Sequence, residues 1–489
     1  MSLLSFDFII FFLIIMTVFF ILPSKLQWVW LLICSCFFYY LNANILKFII
    51  FLIIIFINYL GSFFIDKVSD NERTGRYIYR ALTITDVICL LVFSYGEFVL
   101  DLINSILSLF GIPIPDHLIS YINLVLNEIS PPKISYFMLI ILGYITEVYW
   151  GRTKAFKNPG KLILFSSYFP IITSGPIITI SDVEATMFSE EKHHFSYERF
   201  IKGMMRILWG VFKKLVISER LAVFVNTVYS DYEVYPGLYI WIAFILFAFQ
   251  LYTDFSGLMD IVLGSSEILG IILPENFNTP FYSTSLADFW RNWHITLGEW
   301  LRNYVFYSIQ RTKPFMSLNK LCKKKLGKNY AKKYNFPLYL SLLITWFLIG
   351  LWHGGASNYI FGVGLYMGII IILSGLLNPL FEKLTKVLRI NTSCMSYRLF
   401  QRTRTFFIFI FGLSFFRAES LTEGFKMWSF AFTSFNPWIL FDRSLFSLGL
   451  SREEFHIALF GLLLLFFVSY YQHREAERGT GATVRDLIM

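Results

Sequence analysis

The chain has 489 residues, of which 56% are hydrophobic and only 15% charged, whereas a soluble domain carries roughly 25% charged side chains. With a mean hydropathy of +0.60 and apolar runs reaching from residue 6 to residue 471, the composition excludes a separate soluble domain and reads as a single integral membrane domain over 1–489. The net charge of +9 is what basic cytoplasmic loops supply, so nucleic-acid binding is not implied; five scattered cysteines offer neither a disulfide framework nor a metal cluster.

At about 20 residues per crossing, the apolar runs predict spans centred on 6–22, 26–41, 45–64, 79–104, 136–150, 201–230, 238–254, 337–353, 357–380, 404–416 and 455–471. The first run ends at Pro23 and the first basic residue is Lys25, so it reads as a retained span rather than a secretory signal, which needs a basic start. Loops 65–80, 151–161, 311–333 and 383–404 are rich in Lys and Arg, and 105–135, 231–237 and 417–454 are poor in them. That alternation places the N-terminus outside and the tail 472–489, with Arg474, Arg478 and Arg485, inside. The fold class is therefore an all-α polytopic membrane protein of about eleven transmembrane helices.

Two regions are too polar for ordinary spans and too apolar for exposed loops. LILFSSYFPIITSGPIITI (162–180) carries Pro170 and the pair Gly175-Pro176, which interrupt helices and free backbone groups. The second region runs from Asp254 to Tyr307. Broken backbone at membrane depth persists only when buried in protein or lining a wet cavity, so both are expected to be re-entrant or in-plane helices around an internal chamber. Within the second, Ser285 and Asp288 make a capping-box-like start. Trp290, Trp293, Leu297, Trp300, Leu301 and Tyr304 then share one helical face, with His294 at its border. The stretch 311–333 holds nine Lys or Arg and no acid; it reads as the largest cytoplasmic loop and fits anchoring to the inner leaflet or a phosphorylated donor.

The chain has seven histidines, and two of them interrupt these apolar regions. His353, in LIGLWHGGASNYIFGVG, follows an apolar run and precedes Gly354-Gly355, which remove side-chain bulk beside the ring. Ionisable groups are expensive in lipid and mark function. An imidazole screened from water stays neutral near pH 7 and suits a general base that activates a hydroxyl; the competing reading is a histidine hydrogen-bonded between helices. His294, in LADFWRNWHITLGEWLRNY, is open to the same chemistry or to anchoring an interfacial helix beside Arg291 and Trp293. Asp254 and Asp288 read as helix caps before they read as ligands. A GxSxG elbow, a Walker loop and HExxH are missing from the sequence, which removes the usual support for serine hydrolase, nucleotide hydrolase and zincin chemistry. No metal ligand set is expected.

LYTDFSGLMDIVLGSSEILGIILPENFNTPFYSTSLADFWRNWHITLGEWLRNYVFYSI and GLWHGGASNYIFGVGLYMG, with SYFPIITSGPI (167–177), GVFKKLVISERLA (210–222) and SFFRAESL (414–421), resemble the membrane-bound O-acyltransferase (MBOAT) family, in its bacterial alginate O-acetyltransferase-like branch. These motifs cover most of 136–421. The resemblance implies a multi-helix fold with a central tunnel, an acyl thioester such as acetyl coenzyme A entering from the cytoplasm, and no bound cofactor. The acceptor would be a hydroxyl of an extracytoplasmic glycan or of a separate extracytoplasmic acetyltransferase partner.

On the family pattern His353 matches the catalytic histidine and His294 the second characteristic one. Asp254, Arg291, Asn292, Trp293, Trp352 and Asn358 are the candidates for positioning donor or substrate. Asn292, Asn303 and Met367 depart from residues common in this branch, arginine, aspartate and histidine respectively. Rival readings are D-alanyl transfer to teichoic acid from a carrier-protein thioester, and a proton-coupled transporter relaying protons through the two histidines. The expected location is the bacterial cytoplasmic membrane.

Overall fold

Helices supply every regular element longer than a bridge among the described residues, 1–327 and 335–478, of the computed structural model. The one strand-like contact there is an isolated antiparallel bridge between Phe277 and Trp293. The helix Phe6–Ile21 shows the character of many: Phe8, Phe12, Ile15 and Phe19 are buried while Ile9, Leu13 and Ile14 are exposed. A helix apolar all round needs an apolar solvent outside as well as a core inside.

Four helices among the described residues are long and apolar enough to cross a bilayer: Ile45–Lys67, Leu238–Leu269, Ser357–Val387 and Arg452–Ala476. Asp116–Ile129 and Ile134–Tyr149, bent by 63°, qualify together as a broken span, and Phe6–Ile21 and Phe336–Trp352 are apolar but shorter. Length and composition thus accept a subset of the eleven apolar runs. The run 79–104 is interrupted between Glu72–Phe93 and Gly96–Leu109, and the run 404–416 lies inside Met395–Arg417, which also carries Arg398, Arg402 and Arg404. The basic stretch 311–333 is not simply a loop, because Lys313–Leu326 is helical; Lys328, Lys332 and Lys333, like Arg485 of the tail, lie outside the described residues.

The chain forms two compact units, Met1–Leu208 with Leu258–Glu275, and Trp209–Gly257 with Asn276 onward. In the first, the helix Pro159–Ser167 gives way to irregular backbone that is buried over Tyr168, Phe169, Ile171 and Ile172. The expectation of broken backbone enclosed by protein holds here. The Phe169 amide, released where the helix stops, donates to buried Ser35 Oγ at 3.1 Å, and the Phe169 ring packs on Phe8, Phe11, Phe12 and Phe38. Gly175 closes the turn, its amide donating to the Ile171 carbonyl at 2.7 Å. A Cβ there would lie 2.4 Å from Ile171 Cα, so the turn requires glycine.

The second predicted region starts later than expected. Leu238–Leu269 is one continuous helix through Asp254, so Asp254 caps nothing. Two of its hydroxyls bond within the helix, Thr253 Oγ1 to the Phe249 carbonyl and Ser265 Oγ to that of Ile261, each at 2.7 Å. Its small residues allow close helix packing: a Cβ on Gly264 would meet the Gly203 carbonyl at 2.6 Å, and one on Gly257 the Gly210 carbonyl at 2.8 Å. The polarity that suggested a break is that of a helix packed tightly against another.

Candidate active site

Both histidines belong to the second unit. The helix expected to run through His294 is broken at that residue. Leu286–Asn292 begins as predicted, with Ser285 Oγ accepting from the Asp288 amide at 3.2 Å, and a second helix, Ile295–Trp300, follows. Between them His294 sits at φ 47° and ψ 54°, the left-handed region that few residue types other than glycine, Asn, Asp and His tolerate.

The break has an identifiable cause in the extended segment Asn276–Asn278. Its backbone takes over two hydrogen bonds the helix would have used: Asn278 N–H donates to the Asn292 carbonyl and Ile295 N–H to the Asn276 carbonyl, each at 3.0 Å. The Asn276 side chain completes the clamp. Its Oδ1 receives the Thr296 amide at 3.1 Å, the Thr296 hydroxyl at 3.0 Å and lies 3.1 Å from His294 Nδ1. His294 is 6% exposed, and its Nε2 is buried without a hydrogen-bond partner.

His353 ends the helix Phe336–Trp352, its amide donating to the Ile349 carbonyl at 3.2 Å. The chain turns at once through Gly354 and Gly355, at φ 142° and 78°, a glycine exit typical of helix C-termini. The other glycines of the motif serve backbone packing. A Cβ on Gly350 would lie 2.6 Å from Ile360 Cα, and one on Gly362 2.5 Å from the Gly412 carbonyl. His353 itself is partly exposed, and its ring contacts Trp352 at 4.9 Å and, edge-on, Phe416 at 5.2 Å.

The indole of Trp352 joins the two histidines. It lies 5.9 Å from the His294 ring, which in turn meets Phe255 at 4.8 Å, and the two imidazoles are close enough to interact electrostatically. Four motif blocks therefore converge within this unit. GLWHGG supplies Trp352 and His353, WRNWH supplies His294, LYTDFSG supplies Phe255, and SFFRAESL supplies Phe416.

The remaining candidates divide into packing and surface positions. Trp293 is buried among Phe289, Phe277 and Phe409. Asn358, 3% exposed, donates from Nδ2 to the carbonyls of Phe415, 3.2 Å, and Ala418, 2.8 Å, and so fixes the segment that carries Phe416. Asn292 donates to the Asp288 carbonyl at 2.9 Å and Ser283 Oγ at 3.3 Å. Arg291 is exposed beside Asp288 at 3.7 Å, and Asp254 is paired with Lys214 and accepts from Ser218 at 3.3 Å.

Sequence reasoning missed Asn276 and Lys213. The signal for Asn276 was an amide pair, Asn276 and Asn278, in the short polar stretch between Pro274 and Pro280. Lys213 is 4% exposed and donates to Ser256 at 2.9 Å; its signal was the lysine pair inside the short run GVFKKLVIS (210–218). Among the described residues no cluster of three His, Cys, Asp or Glu side chains could hold a metal ion.

The model of the MBOAT, or membrane-bound O-acyltransferase, family matches residues 158–322. A Pseudomonas syringae protein named "Probable alginate O-acetylase AlgI" is 29% identical over 400 residues, 82% of this chain and 69% of that protein. The chain belongs to the membrane-bound O-acyltransferase family, in its alginate O-acetylase-like branch. This O-acyltransferase family member is also 27% identical to a Helicobacter pylori "Peptidoglycan O-acetyltransferase", over 68% of the chain and 61% of that protein. It is 31% identical to a Bacillus subtilis "Teichoic acid D-alanyltransferase", over 50% of the chain and 58% of that protein. The chain spans about two thirds of the length of the alginate O-acetylases it matches. Family and apolar helices together make it a multi-pass membrane protein.

Proposed function

We propose that this chain moves an acetyl group from acetyl coenzyme A, bound from the cytoplasm, to a hydroxyl on the outer side of the bacterial cytoplasmic membrane, with the N-terminus outside and the C-terminus inside. The acceptor is an extracytoplasmic polysaccharide or a separate extracytoplasmic acetyltransferase. Supporting this reading is one observation above the rest: His353 and His294, from separate motif blocks of the family, contact the same indole, Trp352.

His353 acts as the general base. Its imidazole is partly exposed and is bordered by aromatic rings and a glycine turn, and the hydroxyl would approach it from its exposed side. A ring nitrogen takes the hydroxyl proton as the oxygen attacks the thioester carbon. The C–S bond breaks as the C–O ester bond forms, and the proton then passes from the imidazolium to the departing thiolate. Such base catalysis contributes typically ~10²–10⁴-fold. A central tunnel would let the carrier stay inside while only the acyl group crosses. Arg291 and Asn292, close in sequence to His294, and Asp254, Trp293 and Asn358 on elements packed against the site, position donor or acceptor directly or through the walls they hold.

The similarity to a D-alanyltransferase favours one second reading, D-alanyl transfer from a carrier-protein thioester. Comparing envelope esters with and without this chain separates the two: loss of ester-linked acetate is the expected result, and loss of ester-linked D-alanine would replace the acetyl reading. A proton-coupled transporter would instead move solute or protons in liposomes with no thioester consumed.

A further inference from the structure

We propose that Asn276 is a positioning residue that holds His294 as the Nδ1–H tautomer, so that Nε2 carries a bare lone pair and meets substrate only as a hydrogen-bond acceptor. The inference deepens the acyl-transfer reading and rests on it for its activity arm alone.

The orientation of the Asn276 amide follows from its partners. The Thr296 backbone N–H can only donate, and it lies 3.1 Å from Asn276 Oδ1, so the group facing Thr296 and His294 is the oxygen and not the NH₂. The Thr296 hydroxyl, at 3.0 Å, donates to the same atom. An amide oxygen has no proton to give, and His294 Nδ1 stands 3.1 Å from it; the only hydrogen bond available between them is Nδ1–H to Oδ1. A neutral imidazole carries one N–H, and with Nδ1 protonated the other nitrogen is bare.

Nε2 is that other nitrogen, and it is buried without a partner. The His294 ring that carries it lies beside other ring surfaces, its centroid 4.8 Å from that of Phe255 and 5.9 Å from that of Trp352. An unpaired buried acceptor costs free energy, and here the cost is held in place by rigid parts. Asn276 is 1% exposed, its backbone is bonded to Ile295, and the adjoining Phe277 bridges Trp293. The left-handed backbone at His294 presents its ring to the one side chain that can select its tautomer. A substrate O–H or N–H entering beside Trp352 would give Nε2 the partner it lacks.

The test is nitrogen NMR of the full-length protein in nanodiscs with ¹⁵N-labelled histidine, His294 being assigned by subtracting the His294→Gln spectrum. At neutral pH the expected signature is a protonated Nδ1 and a non-protonated Nε2. A protonated Nε2, or a doubly protonated ring, overturns the proposal, and this result needs only the wild-type protein. Asn276→Asp keeps an acceptor for the same three donors, so the signature and acyl transfer should persist. Asn276→Leu should lose the signature and lower transfer by about 10²-fold, the scale of a misplaced catalytic group; an unchanged tautomer in a folded Asn276→Leu protein overturns the proposal. The expected wild-type signature in a protein that transfers no acyl group would sink the acyl-transfer reading and leave the tautomer assignment standing.

Discussion

The two stretches of broken backbone, 168–179 and 276–306, look alike in sequence and differ in what they enclose. The first is packed with side chains that carry no charge and no imidazole: Tyr168, Phe169, Ile171 and Ile172 are buried, the freed Phe169 amide goes to Ser35, and Gly175 fits against Ile171. The second buries Asn276, Thr296 and His294 together and leaves His294 Nε2 open. Irregular backbone inside a membrane protein must satisfy its polar groups internally. The first stretch also leaves two buried hydroxyls, Tyr168 Oη and Thr173 Oγ1, without a hydrogen-bond partner; what separates a wall from a site here is that the atom left over in the second stretch is a ring nitrogen able to take a proton.

The comparison can be pressed by substitution. Phe169→Ala should cost the most stability, about 3–5 kcal/mol as for other buried Phe truncations, seen as a lower unfolding midpoint in detergent with transfer per folded molecule unchanged. Loss of transfer without loss of stability would make the first stretch part of the site. Gly175→Ala, whose Cβ would fall 2.4 Å from Ile171 Cα, should cost about 1–3 kcal/mol by overpacking, again in the midpoint alone.

Asn358→Ala should cost a similar or smaller amount, about 1–3 kcal/mol for buried acceptors left unpaired. Unlike the first two, it should also slow transfer, because the carbonyls it frees flank Phe416, the ring against His353. Arg291→Ala should change stability by less than about 0.5 kcal/mol, since its pair with Asp288 is exposed. If Arg291 positions the donor, the KM for acetyl coenzyme A rises while the midpoint stays; an unchanged KM removes it from the site.

Much of this was legible in the sequence because composition and interruption are local signals. The apolar runs located the helices, Pro170 and Gly175-Pro176 marked the first break, and His353 stood out as an ionisable ring beside two glycines. Where the reading failed, the decisive interaction was tertiary. Asp254 suggested a break in a helix that continues to Leu269, because Asp254 pairs with Lys214, Thr253 and Ser265 bond carbonyls of their own helix, and its glycines admit a partner helix. The opposite error occurred at His294: a continuous amphipathic helix was expected, and Asn276–Asn278, distant in the pattern, draws two backbone hydrogen bonds out of it. Helical periodicity carries no record of a segment that competes for the same amides.

The most direct measurement is acetyl transfer from labelled acetyl coenzyme A by the purified protein reconstituted with its acceptor, comparing wild type with His353→Ala at matched unfolding midpoints. If His353 is the base, transfer falls by ~10²–10⁴-fold with the midpoint and membrane insertion unchanged. Transfer that survives in a folded His353→Ala protein would contradict the assignment.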